Sequence, residues 1–268
     1  MTSTAIIVTT YEWPQALDLV LASSSIQTIA PDEIHIADDG SGPETASVVE
    51  QWQSRLPFPL YHHWHEDKGF RPNPVRNEAM ANCRSELVIT LDGDMVMHPE
   101  FVADHVRFSR PGHFIQSRRV RLDDTLTADL LQQRRYRISH FEAGVRRRLM
   151  AIRSKTLATL ASRADRSFRN IRGANMSFWR NDLITVNGLN EDFVGWGFED
   201  HELTARLYHA GLKRTYLRHA ALAYHLEHAD NSRDRRSLNQ AIFEKTLADE
   251  TVYCPNGLAE NHRVVATG

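Results

Sequence analysis

The chain has 268 residues, of which 41% are hydrophobic and 25% are charged, a composition typical of a folded protein with a sizeable core. Its formal net charge of −2 does not favour nucleic-acid binding, and it has no run of roughly eighteen apolar residues that could span a membrane. Residues 1–13 carry no basic leader, and Cys83 and Cys254 have no metal-ligand spacing or disulfide framework, so we expect a cytoplasmic protein with structural cysteines.

The first third of the chain predicts alternating strands and helices. Apolar runs rich in β-branched residues predict strands at Ala5–Thr9, Glu33–Ala37, Phe58–Trp64 and Glu86–Leu91. Helices are predicted to begin near Pro14, Pro43 and Pro74, because proline suits the first turn of a helix. This alternation predicts a parallel, doubly wound sheet flanked by helices.

Three of these strands end in polar clusters, at Asp38–Asp39, Asp67–Lys68 and Asp92–Asp94. Right-handed crossovers bring the carboxyl ends of parallel strands to one edge of a sheet, where α/β proteins bind ligands. Two carboxylates around Gly93 can hold a divalent cation against a diphosphate, and Lys68 and Arg76 add positive charge. Asp and Gly also end strands without any function, but the three clusters together favour a nucleotide-diphosphate pocket.

The second half of the chain is less regular. Strands are predicted at Phe114–Val120, Arg172–Phe178 and Thr215–Tyr224, and helices at Asn181–Gly188, Asp200–Ala210 and Ser232–Leu247. Residues 130–172 carry twelve Lys or Arg and two acids, a local charge of +10, so the remainder of the chain carries −12. Apolar residues recur there at roughly helical intervals, and we expect a basic helical segment.

Seven short motifs follow one another along the chain: Val8–Tyr11, Asp38–Ser41, Asp67–Phe70, Arg76–Asn77, Asp92–Asp94, Gly173–Ser177 and Gly195–Asp200. In this order, over roughly residues 4–230, they resemble the inverting GT-A glycosyltransferases of family 2. The last motif, Gly-Trp-Gly-Phe-Glu-Asp, is also similar to the galactosyltransferase and chondroitin-polymerase type domains. The sequence departs from the pattern at Phe198, where several relatives have glycine, so the shape of the acceptor pocket is in doubt.

The resemblance implies a GT-A-like (Rossmann-like) α/β fold, with a mostly parallel central sheet flanked by helices and a helical basic insertion at residues 130–172. It implies a single glycosyltransferase domain over residues 1–268. Residues 1–98 would be the nucleotide-sugar-binding half, residues 99–230 the acceptor and catalytic half, and residues 231–268 a covering helix and tail.

The resemblance also implies a role for individual residues. Asp200 would be the general base, because the acceptor hydroxyl must lose a proton as it attacks. The donor would be bound by Thr9, Tyr11, Asp39, Lys68, Arg76 and Asp92, and the acceptor or transferred sugar by Asn175, Trp196 and Glu199. Asp94 and His225 would bind Mn²⁺ or Mg²⁺, with His228 as the rival of His225. From the residues alone, Asp200 could instead be a helix N-cap, His225 an ordinary strand histidine and Trp196 a core residue.

The implied function is the inverting, metal-assisted transfer of a sugar from a nucleotide-diphosphate donor, expected to be a UDP-sugar, to a saccharide hydroxyl. The expected setting is the synthesis of bacterial surface polysaccharide or lipopolysaccharide, and the alternative is a non-catalytic saccharide- or nucleotide-binding module on the same fold. No nucleic-acid partner is expected, since the basic segment has no recognised binding motif.

Bacterial members of the family often build lipid-linked saccharides, so the resemblance implies a saccharide or lipid-linked saccharide acceptor held at the cytoplasmic face of the inner membrane. The basic segment suggests peripheral contact with anionic lipid there. A basic amphipathic helix can place its apolar stripe at the headgroup boundary. In the alternative, the stripe packs on the sheet, and the arginines are solvated or bind acidic groups of the acceptor.

Overall fold

A sheet of eight strands organises the structure, a computed structural model that describes residues 2–229 and 234–261. The strands in chain order are β1 Thr4–Thr10, β2 Glu33–Asp38, β3 Leu60–Trp64, β4 Leu87–Asp92, β5 Met95–Met97, β6 His113–Gln116, β7 Arg119–Arg121, β8 Arg163–Asp165, β9 Asn175–Trp179, β10 Lys213–Tyr216 and β11 Ala223–His225. The helices are α1 Pro14–Ser24, α2 Pro43–Gln53, α3 Pro72–Asn82, α4 Phe101–Phe108, α5 Asp124–Gln133, α6 Lys155–Ala161, α7 Arg180–Thr185, α8 Glu199–His209, α9 Arg236–Ala248 and α10 Leu258–Asn261.

The main sheet has the strand order β3-β2-β1-β4-β9-β6-β10-β8. Strands β1 to β4 pair in parallel, β9 is antiparallel to both β4 and β6, and β8 is antiparallel to β10. A second sheet, β5-β11-β7, lies beyond the end of β4. Only β8 and β9 oppose the other six strands of the main sheet, so the predicted, mostly parallel sheet is confirmed in the described residues.

Apolar layers cover both faces of the main sheet. Val8 belongs to a buried cluster with Leu17 of α1, whereas the preceding Ile7 belongs to a cluster with Val75 of α3 and Leu207 of α8. This follows from the alternation of side chains along a strand. Each fully buried aliphatic side chain stabilises the fold by roughly 1.5–3 kcal/mol, which holds the carboxyl ends of β1, β2 and β4 in fixed positions at one edge.

Two of the predicted strands are wrong in extent, because each changes sheet midway. Residues 114–120 form part of β6 and then part of β7, and residues 215–224 form part of β10 and then part of β11. In the second case His219 and Ala221 have left-handed backbone conformations, with φ of 59° and 49°, which turn the chain out of the main sheet. Neither turn contains glycine or proline, so the sequence pattern does not reveal the breaks.

The prediction of a helix through the basic segment, residues 130–172, is also wrong. Helix α5 ends at Arg134, whose φ is 50°, and the segment is then helical only in a 3₁₀ turn, Arg148–Met150, and in α6. Left-handed conformations at Gly144 and Arg147, with φ of 94° and 54°, interrupt the helical spacing. The predicted amphipathic helix for membrane attachment is therefore not formed, and membrane contact stays a prediction.

The predicted covering helix at Ser232–Leu247 corresponds to α9, while residues 230–233 and 262–268 of the predicted covering helix and tail lie outside the described residues. Within the described ranges, no helix combines the length and the apolar character needed to cross a bilayer.

Strands from both sides of the predicted division at residue 98 share the main sheet through the β4–β9 pairing. The division of the chain into functional halves stays a prediction.

Candidate active site

A cleft of about 970 Å³ opens at the carboxyl ends of β1, β2 and β4. The amino-terminal end of α8 faces these strand ends across the cleft, and β11 closes one side. Ten of the predicted site residues line it: Thr9, Tyr11, Asp39, Arg76, Asp92, Asp94, Trp196, Glu199, Asp200 and His225. The expectation that the three polar clusters meet at one edge is therefore confirmed for those after β2 and β4, whereas Asp67 and Lys68, after β3, do not line the cleft.

The Asp92-Gly93-Asp94 turn is held tightly against the end of β1. Gly93 donates its N–H to the carbonyl of Thr9 at 2.7 Å, and a Cβ at Gly93 would lie 2.7 Å from that same oxygen. Only glycine permits this approach, which turns both carboxylates into the cleft. Burial and the neighbouring Asp94 raise the pKa of Asp92 to about 7, so the turn concentrates negative charge that a cation would relieve.

Asp94, His225 and His228 form a cluster whose ligand atoms all lie within 4.8 Å of one another. Asp94 Oδ2 is 2.9 Å from His228 Nε2 and 3.6 Å from His225 Nε2. In the described structure, Asp94 Oδ1 and His225 Nδ1 are buried without a hydrogen-bond partner. A carboxylate with two imidazoles is a donor set that fits a divalent cation.

The two histidines of this cluster differ in their environment. Burial lowers the pKa of His225 to about 4, so this imidazole is neutral and available as a ligand at neutral pH. The hydrogen bond with Asp94 raises the pKa of His228 to about 9, and His228 Nδ1 donates to the carbonyl of Ala229 at 2.6 Å. That bond to a carbonyl fixes the ring orientation, as is usual for metal-binding histidines. Both histidines stay candidates for the metal ligand.

Asp200 and Glu199 lie in the first turn of α8. Gly173 donates its N–H to Asp200 Oδ2 at 2.6 Å, and a Cβ at Gly173 would lie 2.1 Å from Asp200 Oδ1. Phe198, rather than Asp200, occupies the N-cap position of α8. The carboxylate of Asp200 accepts its hydrogen bond from the backbone of Gly173, which lies outside α8. The bond from Gly173 orients the carboxylate of Asp200, which is one of the residues that line the cleft.

Glu199 is the first residue of α8 and directly precedes Asp200. Its Oε2 accepts the N–H of Gly197 at 2.9 Å. Burial, reinforced by the neighbouring Asp200, raises the pKa of Glu199 to about 7. The side chain is therefore able to exchange a proton with a hydroxyl group near neutral pH, and it lies next to the predicted base.

The opposite end of the cleft carries the predicted nucleotide contacts. Asp39 is buried, and its carboxylate oxygens interact with His65 Nε2 at 2.7 Å and with the N–H of Arg71 at 3.0 Å. Burial raises the pKa of Asp39. Tyr11 is 48% exposed and donates its hydroxyl to Asp67 Oδ2 at 3.1 Å, so its ring lies at the rim of the cleft.

Two predicted site residues lie outside the lining of this cleft. Lys68 is exposed and pairs with Glu66 at 3.1 Å. Asn175 is 1% exposed, and its amide donates to the carbonyl of Ala221 and accepts from His105. In the structure, Lys68 therefore lies on the surface, whereas Asn175 connects elements and lines an adjoining cavity rather than this cleft.

Several cleft residues were not predicted. Arg119, Arg121, Arg172, His201 and His228 all line it, although His228 was considered as the rival metal ligand. Arg118 lies two residues beyond the end of β6, Arg119 begins β7, and Arg172 directly precedes the Gly173 motif. Basic residues immediately beside a strand end were therefore an available signal.

Phe198, where several relatives have glycine, adopts a left-handed conformation with φ of 70°. Its ring stacks on Phe243 of α9 at 5.7 Å, and the guanidinium of Arg236 lies 5.0 Å from the ring centre. A non-glycine residue in this conformation costs roughly 1 kcal/mol, which these ring contacts offset. The aromatic side chain thus anchors the Gly-Trp-Gly loop to α9.

Comparison with known proteins identifies relatives along most of the chain. Residues 5–166 match the profile described as Glycosyl transferase family 2, and residues 156–229 match that described as N-terminal domain of galactosyltransferase. A chondroitin synthase of Escherichia coli is 27% identical over 255 residues, which cover 83% of this chain and 34% of that protein. This chain thus spans about a third of that curated relative.

Solved structures share the fold. TarS 1-349 of S. aureus, in complex with UDP, has a TM-score of 0.63 at 16% identity, over 97% of this chain and 68% of that one. The mannosyltransferase PcManGT from Pyrobaculum calidifontis, in complex with GDP-Man and Mn²⁺, has a TM-score of 0.57 at 15% identity, over 92% of this chain and 70% of that one. The predicted GT-A-like fold is confirmed.

Proposed function

The chain belongs to glycosyl transferase family 2, and from this membership we propose that it transfers a sugar, with inversion, from a UDP-sugar to a saccharide hydroxyl. The choice of UDP is supported by the nucleotide bound in the TarS structure. The chondroitin synthase relative supports a role in the synthesis of a bacterial surface polysaccharide.

One observation carries the proposal. Four side-chain atoms around the cleft are buried and, among the described residues, have no hydrogen-bond partner: Thr9 Oγ1, Arg76 Nε, Asp94 Oδ1 and His225 Nδ1. A buried polar atom without a partner costs roughly 1–3 kcal/mol, so such atoms are rare unless a ligand satisfies them. All four residues line the cleft, so a donor diphosphate and its cation bound there could satisfy these atoms.

Asp200 would act as the general base of the transfer. As the acceptor oxygen forms its bond to the anomeric carbon, the bond from that carbon to the diphosphate breaks, and the hydroxyl proton passes to Asp200 Oδ1. Attack from the face opposite the leaving group inverts the configuration. Gly173 orients the base through the other carboxylate oxygen, and Glu199, whose pKa is raised to about 7, lies beside it to hold a sugar hydroxyl.

Asp94 with His225 or His228 would hold the divalent cation. When bound, the cation would neutralise the charge that develops on the diphosphate leaving group. The mixture of one carboxylate with imidazoles suits Mn²⁺ better than Mg²⁺, which prefers oxygen ligands. The charge of Arg76 partly opposes the rise in the pKa of Asp92 and of Glu199, so Arg76 lies close enough to both to supply a fixed positive charge in the same space.

The alternative is a binding module of the same fold that does not catalyse transfer. A module of this kind needs the nucleotide contacts, but it has no need of a carboxylate oriented by a dedicated N–H donor and aimed into the cleft. The placement of Asp200 therefore favours an enzyme.

Asp200→Asn tests the proposal. We expect UDP release from a UDP-sugar and a mixture of saccharide acceptors to fall by roughly 100- to 10,000-fold, the usual contribution of a general base. Affinity for UDP, measured by calorimetry, should be unchanged, since asparagine keeps the shape of the side chain. Asp124→Asn is the matched control, because Asp124 also lies in the first turn of a helix but is exposed outside the cleft.

Two results would count against this assignment. A parallel loss of UDP affinity in Asp200→Asn would make Asp200 a donor ligand rather than the base. If the wild-type protein binds UDP but releases none from any UDP-sugar, the binding-module alternative is favoured.

A further inference from the structure

A second cavity, of about 480 Å³, adjoins the active-site cleft. The two cavities share lining residues, among them Arg119, Arg172 and Ala174. Ala174 follows Gly173, which contacts the carboxylate of Asp200. The second cavity is therefore a continuation of the cleft that begins beside the predicted base.

This continuation lies on the side away from the predicted nucleotide contacts. Its far lining includes Gln116 at the end of β6 and Tyr216 at the end of β10, whereas Thr9 and Asp39 follow β1 and β2. In the order of the main sheet, β4 and β9 separate these two pairs of strands. A molecule that reaches Asp200 from the second cavity approaches from the acceptor side.

Six arginines line the second cavity, which we name the arginine groove: Arg118, Arg119, Arg121, Arg146, Arg147 and Arg172. Of the described residues, no Asp or Glu lines it. Glu227 pairs with Arg121 at 2.9 Å and lies 3.9 Å from Arg146. Within the described ranges, the other four arginines have no acidic partner within 4.0 Å.

Protein contacts hold part of this positive charge in place. Arg118 donates from Nε to the hydroxyl of Tyr216 at 3.0 Å, and its guanidinium lies 5.2 Å from the centre of that ring. Burial and the nearby Arg172 lower the pKa of Arg119, which shows that these like charges repel each other. Arg147 occupies a left-handed backbone conformation, with φ of 54°. Repulsion and backbone strain kept beside an active site are typical of a preorganised anion site.

We infer that the arginine groove binds anionic groups of the acceptor, so that the acceptor is a saccharide bearing carboxylates or phosphates. The inference rests on the proposed function, because it takes Asp200 as the point of transfer. Guanidinium groups bind both kinds of anion through paired, charge-assisted hydrogen bonds. Asp92 and Asp94 lie near enough to Arg119 to interact with its charge, but a neutral saccharide would offer no anion to Arg118, Arg147 and Arg172.

Calorimetry with UDP-saturated protein tests the inference. The probes are trigalacturonate, its fully methyl-esterified and therefore neutral counterpart, and a maltotriose that carries one phosphate. We expect both anionic probes to bind at least about tenfold more tightly than the ester, which corresponds to one charge-assisted hydrogen bond. Tighter binding of the uronate or of the phosphate tells which anion the groove prefers.

Arg147→Gln and Arg148→Gln form a matched pair for the same titrations. Both residues are exposed and adjacent, but only Arg147 lines the groove. We expect Arg147→Gln to weaken the anionic probes about tenfold and to leave the ester and UDP unaffected, whereas Arg148→Gln changes none of them. The difference between anionic probes and ester should shrink at high salt.

Three results would overturn the inference. The first two are equal binding of the ester and the anionic probes, and equal effects of the two variants. The third is that the protein co-sediments with phosphatidylglycerol vesicles, and that Arg147→Gln weakens this co-sedimentation but leaves saccharide binding unchanged. The last result would assign the arginines to a lipid surface. Failure of UDP to bind is a separate readout, and it would count against the proposed function rather than against the groove.

Discussion

Gly173 lies directly beneath the carboxylate of Asp200, so this backbone position controls the orientation of the proposed general base. The N–H of Gly173 donates to Oδ2, and the missing side chain leaves the space that Oδ1 occupies. Any Cβ there would lie 2.1 Å from Oδ1, so the carboxylate would have to move.

We therefore predict that Gly173→Ala lowers kcat by roughly 100-fold, the usual effect of misplacing a catalytic group by about 1 Å. Affinity for UDP should remain, since the nucleotide contacts lie at the other end of the cleft. Steady-state kinetics with UDP calorimetry measure both quantities. Gly42→Ala is the control, because a Cβ at Gly42 makes only an ordinary 3.5 Å contact with Glu12. Full kcat in Gly173→Ala would show that the carboxylate need not keep this position.

Motif residues were predictable where the chemistry requires a side chain at a strand or helix end, as with Asp94 and Asp200. Asn175 belongs to the same motif as Gly173, but it is the first residue of β9 and its amide is used by His105 and Ala221. The sequence does not show which way such a side chain points. Arg119 was missed for a different reason, since it comes to the cleft only because the chain changes sheet after β6.

At the scale of elements, the first four strands and three helices follow from local sequence because each strand is short, apolar and bounded by turn residues. The second half was harder to predict because its strands pair with partners distant in sequence, as β9 does with β4 and β6. Glycine and left-handed residues also interrupt the helical spacing of the basic segment, and periodicity alone does not detect this.

A buried polar network joins β2 to the loop before β4. Glu33 Oε1 accepts the N–H groups of Arg84 and Ser85 at 2.8 Å and the hydroxyl of Ser85 at 2.7 Å, and Oε2 lies 3.1 Å from His35 Nε2. Burial alone would raise the pKa of Glu33. The hydrogen bonds outweigh burial and lower the pKa from 4.5 to about 2.

This network makes stability depend on pH in a defined direction. Since the pKa of Glu33 is lower in the folded state, its contribution is fully present above pH 4.5 and is lost as pH falls toward 2. We predict that Glu33→Gln lowers the free energy of unfolding by about 3 kcal/mol at pH 7. Urea denaturation between pH 2 and pH 7 should show the gap between variant and wild type closing below pH 4.5.

Glu86→Gln is the control for this prediction, because Glu86 is exposed. Among the described residues, its carboxylate accepts a hydrogen bond only from the N–H of Ser3. It should change stability little at any pH. A gap between Glu33→Gln and wild type that stays constant down to pH 2 would mean that shape, rather than the ionised carboxylate, accounts for the loss.

For the molecule as a whole, the cleft draws its residues from distant parts of one continuous sheet. Asp39 and Asp94 follow β2 and β4, whereas Asp200 and His225 belong to α8 and β11. A ligand that contacts both groups links segments that are more than 100 residues apart in the chain. Binding should therefore stabilise the whole fold rather than one segment.

We predict that UDP with Mn²⁺, at about one hundred times its Kd, raises Tm by roughly 5–10 °C, since ligand binding to the folded state alone adds about 2.7 kcal/mol. UDP with excess EDTA should give a smaller increase, because EDTA would remove the cation that Asp94 is proposed to hold beside the diphosphate. Asp94→Asn should bind UDP but lose the Mn²⁺-dependent part of the shift, whereas Asp124→Asn, outside the cleft, should keep it. An equal Tm shift with Mn²⁺ and with EDTA in the wild-type protein would contradict the assignment of Asp94 and the two histidines to the donor site. The nucleotide would then be bound only by Arg76 and the ends of β1 and β2.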